Sequence, residues 1–371
     1  MLGLGEAPWA CSGYACELGC ERPRPTLVTM TEPSPAAVPT ASSADAAELA
    51  VVTRAGIVES RHLGSAVLLD ADGQVVESLG APEAVTFPRS SLKPLQAVAA
   101  LRAGALISTE AVALACGSHT GSRRHQELAA QTLAKEGLDE SYLKCPAALP
   151  ARSADLRIHC EAGRSETPLA FNCSGKHAAF LAATRTQGSR LATYTDVNHP
   201  LQQVITEVYT EYTGQRPVLH GVDGCGAPAA AMPLISLARG FGKLASTLRR
   251  RDAEVHAFTV AQAMLDYPWA VSGHQEPDTV VIEELGLLAK SGAEGVLVIA
   301  APDGTTAAVK TLDGSGRANH LVALSLLGAH GAVDLDRLGA VLKKVIKPIT
   351  GGADKTPAGG IRLSEQVTSR F

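Results

Sequence analysis

The chain has 371 residues, of which 46% are hydrophobic and 19% charged, with a formal net charge of −4. This length and apolar content support a large buried core, and the lack of a basic excess argues against a nucleic-acid or membrane-surface partner. Apolar stretches are interrupted by Gly or charge before about 20 residues, so no transmembrane helix is predicted.

Residues 1–47 differ in composition from the remainder of the chain. The first thirty mix Gly, Pro and Cys, and residues 31–47 form a Pro-rich tract with few bulky apolar side chains. Such a tract cannot bury enough surface to offset the entropy of ordering, so we predict a disordered N-terminal extension over residues 1–47. Met30 is an alternative start within it.

The cysteines do not form a disulfide pattern. Cys11, Cys16 and Cys20 could be read as a metal knuckle, but they lack a fourth ligand and a folded context. Irregular spacing characterises the other five, Cys116, Cys145, Cys160, Cys173 and Cys225. This usage favours a reducing, cytoplasmic setting, as does the absence of a basic-then-apolar signal at the N-terminus.

From Glu48 onward the sequence is typical of one folded domain, residues 48–371. Apolar and polar residues alternate between turns over residues 49–80 and predict an antiparallel meander. Helical periodicity follows over residues 92–104, 110–117, 126–137, 176–188, 199–214, 227–241, 251–265 and 279–290. A hairpin with a Pro-Asp-Gly turn is predicted over residues 295–316, then helices at 320–327 and 334–345 and a polar tail.

Strands therefore come first, a long helical segment occupies the middle, and strands return near the end. This order predicts an α+β fold in which N- and C-terminal strands share one antiparallel sheet with a large helical insert. No Gly-x-Gly-x-x-Gly follows a strand, which argues against a Rossmann nucleotide-binding domain.

Ser90 and Lys93 stand three residues apart where a strand gives way to a helix, a spacing that puts them on one helical face. A serine hydroxyl is a weak nucleophile until a base takes its proton, and an amine can serve only when burial or a second cation keeps it neutral. Ser-x-x-Lys is therefore a candidate nucleophile–base pair, with helix capping by Ser90 or Ser91 as the alternative.

Two further segments fit the same chemistry. Ser118 lies in a small polar turn at a helix end, and Lys290 begins Lys-Ser-Gly just before a strand. Together the three segments follow the order found in penicillin-recognising serine hydrolases. Ser118 and Lys290 would form a second pair whose ammonium favours a neutral Lys93. The alternatives are a solvent-facing His119 at a helix end and a Lys290 that complements a helix dipole.

Thiol and imidazole groups at Cys173, His177 and Cys225 suggest zinc, with buried structural thiols as the alternative. Cys173 as a nucleophile with His177 as its base is disfavoured, because residues i and i+4 of one helix rarely let the base reach the reacting proton. Asp223, in a glycine-rich turn, could cap a helix or bind a substrate ammonium group.

The segments RSSLKPLQ, CGSHTG, NCSGKHAAFLA and DGCGAP resemble signature blocks of the rhizobial-type asparaginase II family, over residues 48 to 351. The resemblance implies a fold similar to serine β-lactamases and glutaminases, and hydrolysis of L-asparagine to aspartate and ammonia through a β-aspartyl ester. It implies Ser90 as nucleophile with Lys93, a second pair of Ser118 and Lys290, and a substrate pocket containing Arg89, His119 and Asp223.

The resemblance further implies that zinc can be held by Cys173, Lys176 and Cys225, that no cofactor is obligatory, and that the protein is a homodimer. Because a lysine ligand must be neutral, zinc should bind less well as pH falls. The sequence departs from the family pattern at residues 121–125, which lack a frequent acidic residue, and residues 356–360 do not align. Open alternatives are a serine hydrolase of β-lactams, D-amino-acid peptides or glutamine, and a non-catalytic metal-binding protein.

Overall fold

The structure, a computed structural model, describes residues 38–371. The crowded N-terminal cysteines, Met30 and most of the predicted extension therefore lie outside the described residues. The last ten residues of that extension are described, and they contain a turn at residues 43–45 and the first residue of a strand.

Eleven strands occur in the described part of the chain. They are β1 (Ala47–Arg54), β2 (Ile57–Leu69), β3 (Val75–Leu79), β4 (Val85–Thr86), β5 (Leu219–Val222), β6 (Pro228–Pro233), β7 (Leu288–Gly292), β8 (Val296–Ala300), β9 (Thr306–Thr311), β10 (Ile349–Gly351) and β11 (Thr356–Leu363). Eight of them form one antiparallel sheet in the order β10-β11-β1-β2-β9-β8-β7, with β3 also paired to β2. The other three form a small sheet in the order β4-β6-β5.

The same residues, 38–371, include thirteen α-helices. They are α1 (Lys93–Arg102), α2 (Thr109–Ala115), α3 (Arg123–Lys135), α4 (Ser153–Glu161), α5 (Ser174–Thr186), α6 (Pro200–Thr213), α7 (Leu234–Ser246), α8 (Val255–Asp266), α9 (Pro268–Val271), α10 (Pro277–Leu285), α11 (Asn319–Ala329), α12 (Leu335–Val345) and α13 (Glu365–Thr368). Helices α7 and α11 pack on the large sheet, and α1, α2, α5 and α6 pack on one another.

The predicted α+β architecture is confirmed, because N- and C-terminal strands do share one antiparallel sheet around a helical segment. The predicted polar tail is wrong: residues 356–363 form β11, which pairs with β1 so that Val52 lies opposite Ile361. A Cβ at Gly359 would lie 1.8 Å from the Thr53 carbonyl oxygen. The absence of a side chain at Gly359 is therefore what allows this close strand pairing.

Two predicted helices are only partly helical. The segment 227–241 begins with β6, which pairs on both sides, and becomes helical only after Pro233. In the segment 279–290, Gly286 adopts a left-handed conformation that ends α10, and the chain then enters β7, where Lys290 lies opposite Val298. Lys290 is therefore a strand residue rather than the end of a helix.

The outer strand β7 of the large sheet contacts the segment that leads into α1. The short 3-10 turn Arg89–Leu92, which precedes α1, packs against the end of this strand. A Cβ at Gly292 would lie 2.3 Å from the carbonyl oxygen of Pro88, so only glycine permits the contact. Among the described helices, none is long and apolar enough to cross a membrane.

Candidate active site

Ser90 and Lys93 line the same narrow cleft, as the helical spacing predicts. The 3-10 turn that carries Ser90 continues directly into α1, whose first turn contains Pro94 with its fixed φ. The other lining residues are Arg89, Leu92, Gln96, Lys176, Tyr209, Asp223, Pro228, Ala229 and Ala230. The space open to the centre of a water molecule is about 10 Å³, roughly enough for one water.

The Lys93 amine is buried and has three close oxygen neighbours. Its Nζ lies 2.5 Å from the Gly117 carbonyl oxygen, 3.0 Å from Ser118 Oγ and 3.3 Å from the Asn172 carbonyl oxygen. An ammonium would donate to all three, whereas a neutral amine would donate to the two carbonyls and accept from the Ser118 hydroxyl. These three contacts are compatible with either protonation state of the amine. The hydroxyl group within hydrogen-bond distance of Lys93 Nζ is that of Ser118, not that of Ser90.

Lys290 is fully buried on β7 and belongs to a second polar network. Its Nζ donates to the Ser291 carbonyl oxygen at 2.7 Å and lies 3.7 Å from Asp278 Oδ2. Burial lowers the pKa of Lys290 to about 8. The charge of Lys93 acts in the same direction, whereas the charge of Asp278 raises this pKa. We call Lys93, Ser118, Lys290 and Asp278 the lysine–serine cluster.

Asp278 is the buried anion of that cluster. It accepts hydrogen bonds from the Ser291 backbone N–H at 2.8 Å and the Ser291 hydroxyl at 2.7 Å, and His320 Nε2 lies 3.1 Å from it. Burial opposes its charge, but His320 and Lys290 outweigh burial and hold the pKa of Asp278 far below its usual range. An ionised carboxylate is therefore available to stabilise the Lys290 ammonium.

Arg89 and Asp223 form an ion pair at the cleft. The Arg89 Nε and a terminal guanidinium nitrogen donate to Asp223 Oδ1 at 2.8 and 2.6 Å. Arg89 has φ +54°, a left-handed conformation that costs energy in a residue with a side chain. Burial disfavours the Asp223 charge, but Arg89 outweighs it and lowers the pKa of this carboxyl.

Cys173, Lys176 and Cys225 lie together and form what we call the thiol–amine cluster. Lys176 Nζ donates to Cys225 Sγ at 3.0 Å. A hydrogen bond with Cys225 lowers the pKa of Cys173 well below its usual range, while the same contact and burial raise the pKa of Cys225. Burial opposes a charged Lys176, but the two sulfurs outweigh it and raise the pKa of that amine.

The two histidines singled out in the sequence lie away from the cleft lining. His119 is buried, with Nε2 3.0 Å from Ser174 Oγ, and its Nδ1 accepts from the Gly121 N–H. Burial lowers the pKa of His119 well below its usual value. His177 Nδ1 lies 2.7 Å from the Tyr194 hydroxyl, and burial lowers the pKa of His177 to about 4.

Three residues of the site were not predicted. Gln96 lies one helical turn after Lys93, so the Ser90–Lys93 spacing extended by three residues could have identified it. Tyr209 and Asp278 come from α6 and α10, whose sequences give no local sign that their side chains reach this region.

Within residues 38–371, no group of three or more His, Cys, Asp and Glu side chains is arranged to hold a metal ion. The thiol–amine cluster differs from such groups because one of its three donors is a lysine. Its sulfur and nitrogen donors are of the kind that bind zinc, and His177 Nε2, next along α5, is buried without a hydrogen-bond partner. The donor chemistry of these residues fits a zinc ion.

Residues 50–363 match the family described as L-asparaginase II. No curated protein is significantly similar to the chain. Among solved structures, a β-lactamase from Mycobacterium bovis has 17% identity and a TM-score of 0.38, over 76% of this chain and 95% of its own. The protein Mglu in its glutamate form has 14% identity and a TM-score of 0.42, and the similarity spans 72% of this chain but only 60% of Mglu.

Proposed function

The chain belongs to the L-asparaginase II family and is an asparaginase-type amidohydrolase, and we propose that its substrate is L-asparagine and its nucleophile Ser90. One observation carries the proposal. Ser90 and Lys93, a hydroxyl and a buried amine, line the same cleft as the Arg89–Asp223 ion pair. A hydrolytic pair is thus adjacent to two opposite charges that complement a free amino acid.

In the proposed acylation step, Ser90 Oγ attacks the side-chain carboxamide carbon of asparagine. Lys93 in its neutral form takes the hydroxyl proton, with Ser118 as a relay, because the Ser118 hydroxyl is within hydrogen-bond distance of Lys93 Nζ. Backbone N–H groups at the start of the Ser90 helix stabilise the oxyanion. The C–N bond breaks, the proton passes to the leaving nitrogen, and ammonia departs.

Deacylation reverses the roles of the same groups. Water attacks the β-aspartyl ester, Lys93 accepts a proton from that water, and the proton returns to Ser90 as aspartate leaves. The positive charge of Lys290 favours the neutral form of Lys93 throughout. Lys290 therefore acts on the reaction through Lys93.

Arg89 and Asp223 bind the charged groups that asparagine shares with every free amino acid. Arg89 pairs with the α-carboxylate and Asp223 with the α-ammonium, so the substrate exchanges one internal ion pair for two. Arg89 and Asp223 must therefore separate from each other when they bind the two substrate charges. His119, which lies outside the cleft lining, would act only by supporting Ser174.

The proposed chemistry needs no cofactor. A zinc ion held by Cys173, Lys176 and Cys225 would neutralise the thiolate charge and cross-link α5 to the turn that carries Asp223. Lys176 must lose its proton to bind zinc, so the metal should bind less well as pH falls. The homodimer and the cytoplasmic location remain predictions from the sequence.

The test is ammonia release from L-asparagine and, separately, L-glutamine by the purified protein. Ser90→Ala should lower kcat by at least about 10⁴-fold and leave the unfolding temperature unchanged, because it removes only one oxygen at the cleft. Ser91→Ala is the matched control, since the Ser91 hydroxyl is buried and donates to the Pro88 carbonyl instead. Near-normal activity in Ser90→Ala would overturn the nucleophile assignment and make Ser118 the next candidate. Ammonia release from L-glutamine but not from L-asparagine would overturn the substrate assignment.

A further inference from the structure

Gln96 presents a buried oxygen that has no partner. Its side chain lines the cleft with Ser90 and Lys93, and the residue is 6% exposed. Among the described residues, Gln96 Oε1 makes no hydrogen bond. Buried polar atoms are almost always hydrogen-bonded in folded proteins, so an acceptor left free inside a binding cleft indicates a ligand donor.

Tyr209, from α6, lines the same cleft. Burial raises the pKa of Tyr209, and the Gln96 side chain acts against that rise, so the Tyr209 hydroxyl is a neighbour of the Gln96 amide. A hydroxyl in this place can influence the orientation in which Gln96 offers its acceptor.

The cleft and the proposed substrate have matching polar groups. Asparagine carries an α-carboxylate, an α-ammonium and a neutral carboxamide whose NH₂ has two donors. Arg89 and Asp223 match the two charges, and they are the more exposed pair, with side chains 26% and 16% accessible. Gln96 is less exposed and lines the cleft with Ser90 and Lys93, so its neutral acceptor suits the carboxamide that Ser90 attacks.

We propose that Gln96 is a specificity-determining residue whose Oε1 accepts a hydrogen bond from the carboxamide NH₂ of the substrate, with Tyr209 as its positioning residue. The inference rests on the proposed function and adds selection for a primary amide over the corresponding ester. An ester of aspartate has no N–H at this position, so it would leave Gln96 Oε1 buried and unpaired. Gln96 transfers no proton and forms no covalent bond.

The experiment compares kcat/KM for L-asparagine with kcat/KM for L-aspartate β-methyl ester. Both substrates form the same β-aspartyl enzyme, so deacylation is common to them and the ratio reports acylation. Gln96→Met keeps the length of the side chain and its helix propensity but removes the acceptor. In this variant we expect kcat/KM for L-asparagine to fall about 10- to 100-fold and kcat/KM for the ester to change less than about threefold.

Gln187→Met is the matched control, because Gln187 Oε1 is also buried without a partner but does not line the cleft. It should leave both substrates unaffected. An equal loss for amide and ester in Gln96→Met, or no loss, would overturn the role of Gln96 while leaving the amidohydrolase intact. Hydrolysis of neither substrate by the unaltered protein would overturn the proposed function itself.

Tyr209→Phe provides a second route to the same answer if Gln96→Met does not fold, as judged by near-ultraviolet circular dichroism. Removal of the Tyr209 hydroxyl frees the amide to rotate but keeps its acceptor. The variant should show the same preference change as Gln96→Met, only smaller. A Tyr209→Phe enzyme with an unchanged amide-to-ester ratio would contradict the positioning role.

Discussion

Lys290 and Lys176 are two fully buried lysines in one site whose pKa values shift in opposite directions. Burial lowers the pKa of Lys290 to about 8, because Lys93 adds a like charge and the single carboxylate of Asp278 only partly compensates. Burial acts on Lys176 as well, but the two sulfurs of the thiol–amine cluster outweigh it and raise its pKa. The charge of a buried lysine is thus decided by its neighbours, and burial alone does not predict it.

This contrast separates two roles. In the lysine–serine cluster a proton can leave near neutral pH, as acid–base chemistry requires. In the thiol–amine cluster, Lys176 of α5 donates to Cys225 Sγ, a contact suited to holding α5 against the turn of Asp223. We therefore expect the same substitution at the two lysines to have different consequences.

Of the two lysine substitutions, Lys290→Met should have the larger effect on turnover, with kcat lowered by about 10²- to 10⁴-fold. The substitution removes the ammonium that the proposed mechanism requires but retains an apolar side chain of similar length. Asp278 keeps its hydrogen bonds from Ser291 and His320, so the fold should survive. Ammonia release and thermal unfolding measure the two parts of this prediction.

Lys176→Met is the companion variant, and it should lower kcat by no more than about tenfold, because Lys176 takes no part in proton transfer. Its main effect should be on stability, since a buried thiolate loses its counter-charge. If Lys176→Met were as inactive as Lys290→Met, the division of the site into a chemical and a structural lysine would be wrong.

The pH dependence of kcat/KM should show a smaller, specific change in Asp278→Asn. In the proposed mechanism the Lys290 ammonium assists proton transfer, so activity should fall as pH rises through about 8 and Lys290 loses its proton. The Asp278 charge raises the pKa of Lys290, and its removal lowers that pKa further. The falling limb of the profile should therefore move to lower pH.

Asp252→Asn is the control for that profile, because Asp252 is an exposed partner of Arg250. It should leave the alkaline limb in place. A limb at the same pH in Asp278→Asn would show that another group, and not Lys290, sets it.

The sequence predicts the groups that lie close along the chain better than those that meet through folding. Ser90 and Lys93 follow from helical spacing, and the shared sheet follows from the order of strands and helices. The contact between Lys93 Nζ and Ser118 Oγ joins residues far apart in the chain, so no local periodicity predicts it. The pairing of Ser118 with Lys290 stays a prediction. Asp278 could not be predicted, since its partners Ser291 and His320 come from β7 and α11.

Local sequence features account for the errors in the predicted secondary structure. Alanine-rich β6 has high helix propensity, but pairing with β4 and β5 overrides it. Gly286 was read as part of a helix although glycine is the residue that ends one. Residues 356–363 were included in a polar tail, whereas Gly359 permits the close approach of β11 to β1.

Among the substitutions within the two clusters, the smallest effect on turnover is expected for Cys225→Ser. After dialysis against zinc, we expect the unaltered protein to retain about one equivalent of zinc, as measured by metal analysis. Two sulfurs and an amine supply three of the four ligands of a tetrahedral zinc site. Cys225→Ser should lose that equivalent yet keep kcat within about threefold, since no step of the proposed reaction passes through the metal. Cys145→Ser is the control: this buried thiol lies 3.6 Å from the Pro168 carbonyl oxygen and is not a member of the cluster. Zinc retained by Cys225→Ser would remove the metal from the thiol–amine cluster, whereas a loss of turnover as large as that of Lys290→Met would show that the two clusters act as one.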